Sequence, residues 1–286
     1  MKVAIIGYGF VGKATEYLLQ RGDSEIFIHD PLLGYSIELD DPVWDEIEFA
    51  FVCVPTPTNP ETGALDASVA VQEALILPNT CVPVIRSTLG PDHVYRFPER
   101  TIFMPEFLRE SSWKSDVDDP ALPLIFGAKV AAVAPWLPIS QVADAMDAAN
   151  CRIVNLMNAL HTGKRILFVD SELACMYKVA RNTALAMTVA VANQLSEACE
   201  VTGVNYSDLS EMLTDDPVLA NSHWDVPGPD GKSGFGGKCL PKDLSHAATL
   251  SHTYGMFPTS YDTSYDINDN NLFATALYIN DNQWRT

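Results

Sequence analysis

The feature that most constrains this chain is Gly7-Tyr8-Gly9-Phe10-Val11-Gly12, which directly follows the apolar run Lys2–Ile6. A helical pattern continues to about Leu19, a second apolar run covers Glu25–His29, and Asp30 stands at its end. Strand, glycine turn, helix, strand and acid, in that order, form a dinucleotide-binding unit. Gly7 permits the tight turn, Gly9 lets the backbone approach a pyrophosphate, and Gly12 lets the helix pack on the sheet. Phe10 and Val11 open the helix, where backbone N–H groups face the phosphates. A carboxylate at Asp30 can bond both hydroxyls of an adenosine ribose and repels a 2′-phosphate, which favours NAD over NADP.

Further strands follow at the same kind of spacing. Residues 48–54 read as one, running into Val54-Pro55-Thr56-Pro57-Thr58. Val82–Ile85 ends in Arg86-Ser87-Thr88, and residues 101–104 end in Pro105-Glu106-Phe107-Leu108-Arg109-Glu110. Each segment alone reads equally as a turn with capping Thr or Glu. Their joint placement favours a doubly wound sheet, in which the ligand crevice lies at the carboxyl ends of the strands. All three polar ends are expected to face that crevice.

Composition narrows the class. With 47% hydrophobic and 19% charged residues, the 286-residue chain can bury a core and is not disordered. Its 18 basic against 37 acidic residues give a net charge of −19, which argues against nucleic acid and anionic membrane surfaces as partners. No apolar run reaches the roughly 18–20 residues that span a bilayer, and a cytoplasmic location is expected. The six cysteines, Cys53, Cys81, Cys151, Cys175, Cys199 and Cys239, show no C-x-x-C pair and no zinc spacing. They read as free thiols, with no metal site.

The second half changes character. Residues 171–202 read as one helix, rich in Ala, Leu, Met and Val. At about 1.5 Å per residue it spans on the order of 45 Å, which suggests packing against a second copy of the chain. The expected architecture is therefore α/β: a Rossmann-type doubly wound parallel sheet over residues 1–168, then a mostly helical domain over 169–286. Lys178 and Asn182 share one face of the long helix. By spacing alone, the commoner reading of such a pair is a solvated edge.

The most informative segment is Gly234-Phe235-Gly236-Gly237-Lys238-Cys239-Leu240-Pro241-Lys242-Asp243. Its glycines allow a backbone that hugs a ligand. Pro241 suits the first turn of a helix, which puts Cys239 just before the helix N-terminus. Dipole and nearby lysines both favour a thiolate there. Lys232, Lys238 and Lys242 would welcome a phosphate-bearing substrate.

These blocks resemble the UDP-glucose/GDP-mannose dehydrogenases. Val54-Pro55-Thr56-Pro57-Thr58 with Gly63-Ala64-Leu65-Asp66 is similar to that family's V-P-T-P-T…G-x-L-D, and Ser87-Thr88 to its S-T-V-P. Pro105–Glu110 matches P-E-F-L-R-E, while Lys178, Asn182 and Asn193 fit the central helix. Residues 234–243 resemble G-F-G-G-x-C-x-P-K-D, the most specific block. The resemblance implies a four-electron oxidation of a nucleotide-sugar C6 alcohol to the uronate with NAD. It implies Cys239 as nucleophile, through a thiohemiacetal and a thioester. Lys178 and Asp243 would stabilise oxyanions and position water, and Asn182 would hold the oxygen at the reacting carbon. Glu106 would be the hydrolytic base, oriented by Thr88. Val54, Pro55, Thr56, Ser87, Thr88 and Glu110 would line the cofactor. Glu106, Phe107, Leu108 and Glu110, with Lys178, Asn182 and the loop residues Lys232, Gly234, Phe235 and Gly236, would meet the substrate. A homodimer through the central helix is also implied.

The chain departs from the family pattern in places. Leu89-Gly90 replaces Val-Pro, Gln194 replaces Glu, Ala174-Cys175 replaces Ala-Glu, and Val218-Leu219-Ala220 stands where the family has R-I-G. Relatives continue into a further nucleotide-sugar domain, whereas this sequence ends at Thr286. No strand–turn–helix pattern in 262–271 or in Trp284-Arg285-Thr286 replaces that domain. Two alternatives stand beside the enzyme reading. One is a catalytically impaired NAD-binding or assembly protein; the other is a 3-hydroxyacid-type dehydrogenase, which needs no cysteine.

Overall fold

A computed structural model describes residues 1–38, 40–128, 156, 160, 164–219, 223–253 and 272–285. Cys151, Ala220 and the stretch 262–271 lie outside the described residues. Among the described residues, seven strands form one sheet in the order β2-β1-β3-β4-β5-β6-β7. They are β1 Lys2–Ile6, β2 Glu25–His29, β3 Phe49–Val52, β4 Val82–Ile85, β5 Ile102–Phe103, β6 Leu124–Ala128 and β7 Ile166–Asp170. Pairing is parallel except between β5 and β6. The chain moves outward from β1 to β2, then returns past β1 to β3. This reversal of strand order is where a doubly wound sheet opens its ligand crevice.

Alternation along the strands builds two cores. Ala4, Ile6, Ala50, Val52 and Ile85 enter one apolar cluster. Val3, Ile5, Phe49, Phe51, Val82 and Val84 enter another. A period of two sends neighbouring side chains to opposite faces, so these fully buried runs serve both. Around the sheet lie α1 Phe10–Leu19, α2 Ser68–Ile76 and the short α3 Trp113–Asp118. α4 spans Ser171–Thr202 as one helix, matching the expected bounds. Beyond it come α5 Tyr206–Asp215, α6 Leu240–Thr253, α7 Leu272–Ile279 and a π-helical turn at Asn280–Trp284.

The chain divides into two compact units, Met1–Thr56 with Asp66–Lys178, and Pro57–Leu65 with Val179–Thr286. The division falls inside α4, not before it at 168/169. It also gives Pro57–Leu65 to the second unit, where Ser245 Oγ donates to Gly63 O at 2.9 Å and Leu65 N donates to His246 Nδ1 at 3.5 Å. The second unit has its own core, built on Ala186, Val189, Phe235, Leu244 and Leu277. No helix among the described residues is long and apolar enough to cross a membrane.

Candidate active site

The glycine turn has the shape that a pyrophosphate needs. Gly7 sits at φ +85°, and a Cβ there would meet Cys53 O at 2.9 Å. A Cβ on Gly12 would meet Gly7 O at 2.2 Å, so the helix approaches the turn too closely for any side chain. Gly9 is the N-cap of α1, and nothing lies within 4 Å of where its Cβ would be. The turn is thus closed where it must pack and open where a ligand would come. Asp30 ends β2 and accepts from the Tyr8 N–H through Oδ2 at 2.7 Å. These residues fit a dinucleotide, with Phe10 and Val11 supplying the first N–H groups of α1.

The ends of β3 and β4 are tied together. Ser87 Oγ donates to Val54 O at 2.6 Å, and Thr56 Oγ1 donates to Thr88 O at 2.9 Å. Both bonds fix the main chain after Cys53, where Pro55 can donate nothing. Thr56, Ser87 and Thr88 are buried. Glu110 is exposed, as is Arg109, while Leu108 is half-buried.

Glu106 follows β5 and is only 4% exposed. Its Oε2 accepts from Leu108 N at 2.6 Å. Its Oε1 accepts from Lys178 Nζ at 3.0 Å, and the same ammonium bonds Glu106 O at 2.7 Å. The ammonium also sits 5.6 Å from the Phe107 ring centre. Burial pushes the Glu106 carboxyl up, but Lys178, the Leu108 N–H and Arg86 together hold it below the usual carboxylate range. The solvated edge suggested by spacing is therefore not what the helix presents: Lys178 and Asn182 are both buried. The buried ion pair with Glu106 is what allows Lys178 to leave water.

Arg86 also departs from expectation. It does not face an open crevice but is buried, 3% exposed. The reason is alternation: residue 86 falls on the same face as Val82 and Val84, which point into the second core cluster.

In the second unit, Asn182 Nδ2 donates to Asp243 Oδ2 at 2.6 Å, with both side chains buried. Lys242 Nζ lies 3.8 Å from Asp243 Oδ1. Cys239 caps α6: its carbonyl accepts the first helical bond from Asp243 N at 2.9 Å. The residue is half-buried, neither sealed in the interior nor fully open. The other described thiols are buried. Burial pushes Cys53 up to about 11 and drives Cys175 higher still, so both are inert. Lys232 and Lys238 are exposed beside the loop.

The loop itself is held by residues that the sequence did not single out for this task. Gly234 N donates to Asn193 Oδ1 at 2.9 Å, and Phe235 N donates to Asn280 Oδ1 at 2.8 Å. Arg285 Nη2 donates to Gly234 O at 2.9 Å, and a Cβ on Gly236 would strike that guanidinium at 2.5 Å. Asn280 carried no local signal, because its partner is a backbone group far away in the chain.

The arrangement brings together Glu106 with Lys178, Thr56 with Thr88, and Asn182 with Asp243 next to Cys239. Residues 172–270 match the family model described as the UDP-glucose/GDP-mannose dehydrogenase family, central domain. The UDP-glucose 6-dehydrogenase of Streptococcus pneumoniae is 26% identical, over 85% of this chain and 67% of its own length. The UDP-glucose 6-dehydrogenase of Haloferax volcanii is 24% identical, over 94% and 70%. The chain thus spans about two thirds of these relatives. A UDP-glucose dehydrogenase structure from Pyrobaculum islandicum superposes with a TM-score of 0.73 at 17% identity, covering 98% of this chain and 68% of that one. At that identity the likeness speaks for the fold alone, a mostly parallel sheet followed by a helical region. Over residues 172–270, then, the chain is similar to the central domain of the UDP-glucose/GDP-mannose dehydrogenase family.

Proposed function

We propose that this chain oxidises the C6 alcohol of a UDP-glucose-like nucleotide sugar to the uronate, with NAD and through Cys239. The supporting observation is the half-buried thiol capping α6 one helical turn from the Asn182–Asp243 pair. NAD, held at Gly7, Gly9, Gly12 and Asp30, would take up the hydrides. The chain's own residues would do the rest. The Cys239 thiolate adds to the aldehyde carbon, forming a C–S bond and moving the carbonyl electron pair onto oxygen. Asn182, fixed by Asp243, and Lys178 offer N–H donors to that oxygen. Oxidation of the adduct leaves a thioester; water then adds, the C–S bond breaks, and the thiolate returns. Glu106, ionised at neutral pH, can take the proton from that water. Its basicity rises whenever Lys178 turns from it toward the developing oxyanion.

The chain is also proposed to pair with a second copy along α4, where Leu173, Met176 and Val191 stay exposed. Formation of NADH on adding UDP-glucose or a related sugar nucleotide, abolished by Cys239→Ser, tests the catalytic reading. Turnover surviving Cys239→Ser would point to hydroxyacid chemistry. Normal NAD binding without NADH from any UDP-, GDP- or dTDP-sugar would leave a binding protein.

A further inference from the structure

Arg86 has a role that the catalytic scheme does not use. Its main chain locks β4 to β3, with its N–H donating to Val52 O at 2.9 Å. Its side chain is buried, and Nε has no hydrogen-bond partner among the described residues. A buried guanidinium is costly unless something compensates its charge and its donors. Burial lowers its proton affinity, while Cys53 and Glu106 act in the opposite direction.

A small, partly open cavity of about 30 Å³ adjoins it, lined by Arg86, Glu106, Asp116, Lys164, Leu108 and Leu124 among others. A water needs roughly 10–15 Å³ of such space and two or more polar partners, so one or two waters fit. The other charged groups lining the cavity are already engaged. Lys164 Nζ donates to the carbonyls of Asp116, Asp119 and Leu122. The Asp116 carboxylate accepts from the Arg109 main chain and guanidinium. Arg86 still has a donor to place, and each Glu106 oxygen has accepted one bond where it can take two.

We propose that ordered water in this cavity joins Arg86 to Glu106, making the guanidinium a second cationic support for that carboxylate beside Lys178. Arg86 is then a positioning residue. With it in place, Lys178 can leave Glu106 without abandoning a bare buried carboxylate. That use rests on the dehydrogenase reading; the water-linked pair itself does not.

Two measurements, neither needing activity, decide the matter. A high-resolution crystal structure of the unaltered chain is expected to show water within hydrogen-bond reach of Arg86 and the Glu106 carboxylate; a dry cavity overturns the proposal. In carbon-13 glutamate spectra, with Glu106 assigned by Glu106→Gln, Arg86→Met is expected to raise the Glu106 midpoint by about 1 pH unit or more, and Arg86→Lys to restore most of it. An unmoved midpoint in a folded Arg86→Met variant also overturns it. Should that variant fail to fold, the crystal structure decides alone. Absence of dehydrogenase activity leaves both readouts intact, so the two readings fail separately.

Discussion

Lys178 holds two oxygens of a single residue: its ammonium lies 2.7 Å from the main-chain carbonyl of Glu106 and 3.0 Å from that residue's Oε1. The grip fixes the segment after β5 and the Glu106 side chain at once. Both are charge-assisted bonds, so the resting position of the ammonium is set from two directions.

Removing one partner of this pair strands the other. Lys178→Met is expected to destabilise the chain by about 3 kcal/mol, because a buried carboxylate loses its principal counter-charge. Glu106→Gln should cost less, and the double variant less than the sum of the two. Urea unfolding of the four proteins checks this; additive losses would mean the pair is not coupled.

Acid should act through the same carboxylate. Glu106 is held below its ordinary value of 4.5, so its contribution to stability is present above that pH and is lost as pH falls through the folded-state value. The unaltered chain is therefore expected to lose stability steeply below about pH 4.5, with Glu106→Gln showing a shallower loss. Denaturation midpoints measured between neutral and acid pH test the difference.

Much of the first unit was legible in the chain itself. The strands Lys2–Ile6, Glu25–His29 and Val82–Ile85 are apolar runs cut off by glycine or polar residues, and the structure keeps those bounds. The helix Ser171–Thr202 was as plain, having neither Pro nor Gly within it. The strands Leu124–Ala128 and Ile166–Asp170 were not read. Gly127 interrupts the first, and the partners lie about forty positions apart, so only tertiary pairing defines them. At the candidate site, residue types were legible but their environments were not. Spacing put Lys178 and Asn182 on one face yet could not say that Glu106 and Asp243 cover it. Nor could it say that alternation turns Arg86 inward.

The glycine turn offers a clean separation of folding from binding. Gly9→Ala adds a methyl group to open space at an ordinary φ of −70°, so the melting temperature should stay nearly unchanged. NAD affinity should fall about tenfold or more, roughly 1.4 kcal/mol. Gly12→Ala puts its methyl group against Gly7 O and should cost about 1–3 kcal/mol of stability. Thermal melts with and without NAD distinguish the two; equal behaviour would remove the turn's proposed role.

Thiol chemistry should be selective. Among the described cysteines only Cys239 is not buried, and burial raises Cys53 and Cys175. Brief iodoacetamide treatment of the folded chain at neutral pH is expected to carboxamidomethylate Cys239 well before those two, as peptide mass spectrometry would read. Comparable labelling of Cys53 would contradict the assignment.

The two asparagine clasps on Gly234 and Phe235 bear on how a ligand would be met. A stretch with this much glycine would ordinarily wander, and a guest would have to freeze it on arrival. Here Asn193 and Asn280 have already chosen its course. Association there would resemble a key entering a finished lock, with little ordering left to subtract from affinity.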